Sequence, residues 1–144
     1  MRMTVKLPSA HRRASVSLFR TAGWLESVFD IRLRPHDLSA QQVRVLSMLV
    51  AKGDEGLTVG ELREGMTDPN SNISRLLNKL MDKGHIAKVR QSDDQRVVRI
   101  QLTPQGRDAC ERAQQALTAE EAVWSRLTAA EAETLADLLD RLRG

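Results

Sequence analysis

At Gly84 the apolar rhythm of the chain changes from helical to extended. Before it, Ile73, Leu76, Leu77, Leu80 and Met81 recur at i, i+3, i+4, i+7 and i+8, which puts one apolar face on a helix. After it, Val98, Ile100 and Leu102 alternate with Arg99 and Gln101, as in a strand with one buried face. Ile86 to Arg90 supplies an antiparallel partner strand and leaves "QSDDQ", residues 91 to 95, as a polar hairpin tip. A helix that runs straight into a two-stranded ribbon leaves few folds open. Gly84 suits the left-handed residue that closes a helix, Asp68 can cap its start, and Pro69 fits the first helical position, where its missing N–H costs nothing. The spacing therefore predicts a helix over 69–83 and a ribbon over 86–102.

Three further helix starts carry the capping box, in which a hydroxyl and a returning carboxylate or amide satisfy the free N–H groups of the first turn: Ser39 with Gln42, Thr58 with Glu61, and Thr128 with Glu131. Leu38 with Val43 and Leu57 with Leu62 add the apolar staple across two of these starts. Helices are thus expected over 39–52 and 58–66. Thr103-Pro104 starts another, which runs on through Ala109, Ala113 and Leu117. Upstream, Leu18, Ala22, Leu25, Phe29 and Leu33 mark a helix over 9–34 that Pro35 ends, and Leu135, Leu138, Leu139 and Leu142 form a last stripe.

This order gives a mainly α fold with a small β component (α+β), one domain over 1–144. Its centre, residues 38–103, reads as a winged helix-turn-helix: two short helices joined by a tight connection, then a ribbon. That module has little apolar surface to cover, so the outer helices, 9–34 and 104–144, are expected to pair with a second chain. Hydrophobic residues make up 41% of the 144 residues but aromatics only 3%, so the core must be aliphatic.

In a helix-turn-helix the second helix puts its first turns into the major groove of DNA. Here those turns carry Asn70, Ser71, Asn72 and Ser74, small side chains that donate and accept hydrogen bonds and let the helix come close to base edges. Arg75, Asn78 and Lys79 follow on the same polar face. Residues 69 to 99 carry seven Lys or Arg against three acids, a local basic patch on a chain of formal charge +3. Arg96, near the ribbon tip, is placed to enter the neighbouring minor groove.

At this point the chain resembles a family. "LSAQQVRVLSMLV", "LTVGELREGM", "SNISRLLNKLMDKGHIAKVR", "SDDQR" and "QLTPQG" are similar to successive blocks of the MarR family of bacterial transcription regulators, over about residues 38 to 107. The resemblance implies a homodimer on a pseudo-palindromic operator in double-stranded DNA, acting as a repressor that a small ligand or chemical signal relieves. It also implies a wing signature, matched by Asp94-Gln95-Arg96: Arg96 would contact the minor groove or its phosphates, and Asp94 would orient a neighbouring Arg, for which Arg75 is the candidate. Many relatives bind small lipophilic acids between the dimer helices and the DNA-binding module, which makes Trp24, Phe29, Met48 and Trp124 the candidate lining, with core packing the plainer account of all four.

Other chemistry finds little material. Cys110 is the single cysteine, so there is no internal disulfide and no cysteine-clustered metal site; it reads as a small buried residue at a helix interface. His11, His36 and His85 lack carboxylate or thiol neighbours at ligand spacing and read as surface or capping residues. No phosphate loop, zinc-protease pair or nucleophile motif occurs, so neither an enzyme nor a cofactor is expected. The N-terminus lacks the apolar run of a secretory signal, and no stretch is long enough for a bilayer, so a cytoplasmic protein with no membrane partner is expected. A rival of another class is a winged-helix module that binds a protein and no DNA.

Overall fold

The computed structural model describes residues 8–66, 72–91, 94–118 and 121–144, with side chains left out at 91, 94–96, 121 and 122. The chain runs α1 (Ser9–Leu33), a 3-10 turn (Arg34–His36), α2 (Ala40–Lys52), β1 (Leu57–Thr58), α3 (Val59–Gly65), α4 (Ile73–Asp82), β2 (Ile86–Gln91), β3 (Asp94–Leu102), α5 (Pro104–Thr118), α6 (Glu121–Trp124) and α7 (Ala129–Arg143).

All three capping boxes form. The side chains of Ser39, Thr58 and Thr128 accept from the amides of Gln42, Glu61 and Glu131, and each third residue returns to the cap amide. At Pro35 the first helix tightens into the 3-10 turn, and Asp37 then takes the left-handed conformation at φ 53°. Asp tolerates that region better than most side chains.

α4 starts later than the expected 69. Asn72 is non-helical, and its Oδ1 accepts from the Arg75 amide at 3.1 Å, so Asn72 is the cap and Ile73 the first helical residue. The reason is local: a short Asn side chain competes for backbone N–H groups and favours the cap over the helix interior. Asp68 and Pro69, the expected start, lie outside the described residues. The other end is as the sequence suggests. Gly84, at φ 76°, donates to Met81 O, and His85 donates to Leu80 O, the paired bonds that close a helix with a left-handed residue.

The sheet is antiparallel with order β1-β3-β2. Ile86 faces Leu102, Lys88 faces Ile100 and Arg90 faces Val98, and the register slips between Arg90 and Gln91. Gln91 and Asp94 then pair, so the strands run further into the expected tip than 90, and Ser92 and Asp93 lie outside the described residues. β1 is an unforeseen third strand, with Leu57 opposite Ile100 and Thr58 opposite Arg99.

The core is aliphatic: Leu33, Val45, Leu46, Leu49, Leu62, Leu80 and Ile100 are buried where α2, α3, α4 and the sheet converge. From α4, Ile73, Leu77 and Leu80 enter it. Each is worth about 1.5–3 kcal/mol, which is what holds a helix too short to form alone. α7 buries nothing and α1 buries only Leu33. Several of their apolar residues, Val16, Phe19, Trp24, Ile31, Leu138 and Leu142, are exposed. No described helix is long and apolar enough to cross a membrane.

Candidate nucleic-acid interface

With Ile73, Leu77 and Leu80 turned inward, α4 presents Ser74, Arg75, Asn78 and Lys79 on its exposed side. Arg75 and Lys79 stand one turn apart on a common ridge, and neither cationic group has a hydrogen-bond or ion-pair partner among the described residues. Like charges at this spacing repel weakly, and an anion set between them removes that cost. Asn72 sits beside them with its acceptor already committed to the cap, which leaves its amide N–H groups as donors.

Of the small polar residues expected in the first turns, Ser74 is helical and Asn72 caps; Asn70 and Ser71 lie outside the described residues. Asp94 and Arg96 have described backbone on β3, where Asp94 pairs with Gln91, and their side chains lie outside the described set. Two cations were missed as site candidates. Lys88 and Arg90 are exposed on β2, the strand at the outer edge of the sheet, and their i, i+2 spacing was the available signal.

Two cavities occur among the described residues, and the first borders this face. One, of about 620 Å³, lies between α4 and the junction of α1 with α2; Arg34, Arg75, Lys79 and Lys83 meet Asp30 and Asp37 there. Asp30 Oδ1 is engaged by the Ala40 amide at 2.7 Å, where it neutralises the positive end of α2. The other, of about 600 Å³, is apolar and lies between α1, α2 and α5. Phe29 and Met48 line it, together with Leu25, Val43 and Leu117, and Arg44 and Glu26 bring charge to it.

Trp24 and Trp124 are not in that lining. Ala22, Leu25, Glu26 and Phe29 share one face of α1, and Trp24 falls about 100° round the helix from Leu25. It is half exposed, and Trp124, on α6, is exposed as well.

Of the three histidines, His11 and His36 are exposed, whereas His85 is partly buried at the end of α4. Its Nδ1 is buried without a hydrogen-bond partner among the described residues. Burial first, then Lys83 and Arg112, hold its pKa below the ordinary value, against the opposing pull of Asp37. Cys110 is buried, as expected, with Sγ 3.7 Å from Ser47 Oγ, and burial pushes its thiol pKa up.

A family model described as transcriptional regulator SarA/Rot matches residues 27–113. The chain is 31% identical, over 112 residues and 76% of each chain, to the multiple antibiotic resistance protein MarR of Salmonella typhimurium. It belongs to the MarR family of transcription regulators. Among solved MarR-type structures, a mutant MarR from E. coli complexed with operator DNA superimposes with TM-score 0.81 at 24% identity, over 95% of this chain and 98% of that one. An organohalide-sensing transcriptional regulator in its 2,4-dichlorophenol-bound form superimposes with TM-score 0.82 at 19% identity, over 99% and 88%. At these identities the structures establish the winged-helix MarR fold.

Proposed function

We propose that this MarR-family regulator is a homodimeric repressor that holds a pseudo-palindromic operator, with one α4 in each of two successive major grooves and Arg96 of each wing at the adjoining minor groove. The observation that carries the reading is the exposed face of α4, where Ser74 and Asn78 lie among Arg75 and Lys79, two cations without a partner among the described residues. Ser74 and Asn78 are short enough for the helix to reach base edges, and the two cations reach guanine edges or phosphates. Lys88 and Arg90 extend the cationic surface along β2.

Pairing is supported by the outer helices. In their own chain α7 buries no residue and α1 only Leu33, and the two helices expose Phe19, Trp24, Leu138 and Leu142. Two-fold pairing through them would carry two α4 helices about one DNA turn, roughly 34 Å, apart. A mutant MarR of E. coli was crystallised with operator DNA, in keeping with this use of the fold.

The apolar cavity lined by Phe29 and Met48 is the candidate effector site, suited to a lipophilic ring whose acidic group meets Arg44. The dichlorophenol-bound relative points to the same class. A ligand that fits only the head spacing incompatible with the operator lowers DNA affinity by its differential affinity for the two states.

Sequencing the duplexes that the purified chain retains from a random pool tests DNA binding, symmetry and spacing together. Two inverted half-sites about one turn apart are expected. An unenriched pool, or a single asymmetric site, would refute the dimeric reading.

A further inference from the structure

Lys83 continues the Arg75–Lys79 ridge by one more turn, yet its charge is already engaged within the molecule. Its ammonium donates to the backbone carbonyl of Asp37, and it reaches Gln42 Oε1 at 3.4 Å and Asp37 Oδ2 at 3.5 Å. Its side chain is 25% exposed. Gln42 is 5% exposed, and the same Oε1 accepts from the Ser39 amide at 3.0 Å in the capping box of α2. One residue further, the Ala40 amide donates to Asp30 Oδ1 of α1. Asp37 lies in the left-handed turn between the two helices. Thus the end of α4, the start of α2 and the last turns of α1 meet in one polar joint.

The mechanical consequence follows from what each element does in the reading above. α1 belongs to the dimer body and α4 to the reading head. In this joint the side chain of Lys83, the residue that caps the end of α4, grips the connection between them. Arg75 and Lys79 on the same ridge have no such attachment among the described residues.

We propose that Lys83 is a positioning residue: its clamp on Asp37 and Gln42 sets the angle at which α4 is carried from α1, and so the half-site separation that the dimer accepts. This rests on the dimeric DNA-binding reading. It differs from a phosphate contact in a measurable way. A phosphate-binding lysine contributes about one unit to the slope of log affinity against log salt. A positioning lysine contributes to the preference for one spacing.

The test uses the full chain and the duplex selected by the wild type, together with versions whose half-sites are one base pair closer or further apart. Lys83→Met is expected to shrink the ratio of affinities between best and altered spacing by about two- to thirtyfold, with the salt slope unchanged. Lys83→Arg, which keeps a donor of similar reach, is expected to restore the ratio. Lys79→Met is expected to do the reverse, losing slope and keeping the ratio. The inference is overturned if Lys83→Met loses slope and keeps the ratio, or changes neither at an unaltered melting temperature. A wild type that binds every spacing alike, or no duplex at all, removes the dimeric reading itself, an outcome visible before any variant is compared.

Discussion

Arg44 Nε donates to the carbonyl of Gly65 at 2.7 Å, tying the middle of α2 to the last residue of α3. Met48, one turn along α2, closes over the same glycine: a Cβ at residue 65 would stand 2.0 Å from Met48 Cε. Arg44 and Met48 both line the apolar cavity. The contact is exposed, so Arg44→Ala is expected to lower the unfolding free energy by only about 0.5–1.5 kcal/mol. Gly65→Ala meets the movable end of a methionine and should cost less than about 1 kcal/mol, moving the thioether instead. Urea denaturation of both variants checks the pair. A loss well above about 1 kcal/mol for Gly65→Ala would contradict the geometry, because it would mean that the thioether cannot move aside.

Gly106 presents the opposite case, because its neighbour is backbone. A Cβ there would lie 1.9 Å from the His85 carbonyl oxygen and 2.9 Å from Leu102 Cδ1. Gly106→Ala must push α5 off the turn that follows α4, at a cost of about 1–3 kcal/mol or more. Thr103 fastens the same corner, donating to Gly84 O at 2.6 Å and accepting from the Gly106 amide at 3.0 Å. Thr103→Val keeps the shape and loses both bonds, for about 1–2 kcal/mol. Urea titration of each variant measures these losses.

His85 gives the fold a pH dependence of defined sign. Burial, followed by Lys83 and Arg112, lowers its folded pKa. Between that value and the unfolded value of about 6.5, the unfolded chain holds a proton that the folded chain lacks. The stabilisation is therefore complete above about pH 6.5 and is lost as the pH falls through the folded pKa. Comparison of urea midpoints at about pH 7.5 and 5.5 should show a larger acid loss in the wild type than in His85→Gln. An equal loss in both would show that His85 is not the group responsible.

How much was legible beforehand depended on how local each feature was. The capping boxes at Ser39, Thr58 and Thr128 are each closed within four residues, and all three form. The switch of period at Gly84 is equally local and marks the end of α4. The start of α4 was misplaced because Asp68-Pro69 is a strong start signal, whereas the cap actually used, Asn72, is one polar residue among several. β1 has two residues, too few to show a period. Trp24 stands one step of helical phase from Leu25, which lines the cavity, a difference that a stripe of apolar residues at three- and four-residue spacing does not resolve. The Lys83 joint unites residues more than 40 positions apart through side-chain atoms, and no spacing pattern encodes that.

Cys110 should behave as a buried thiol. Burial raises its pKa, the Ser47 contact opposes that rise in part, and the residue is 1% exposed. Labelling by a thiol-specific disulfide reagent near pH 8 is expected to be slow in the folded chain and fast in concentrated urea, since only the thiolate reacts. Equal rates would place the sulfur at the surface.

The central claim is that two copies of the exposed α4 face, each with its wing, hold one duplex largely through its phosphates. Titration of a selected operator by fluorescence anisotropy, at salt concentrations from about 50 to 200 mM, tests it most directly. With about six to ten phosphate contacts, the expected result is two chains per duplex and an affinity that falls by roughly 10³ to 10⁵ across that range. One chain per duplex, or an affinity that hardly changes with salt, would contradict it.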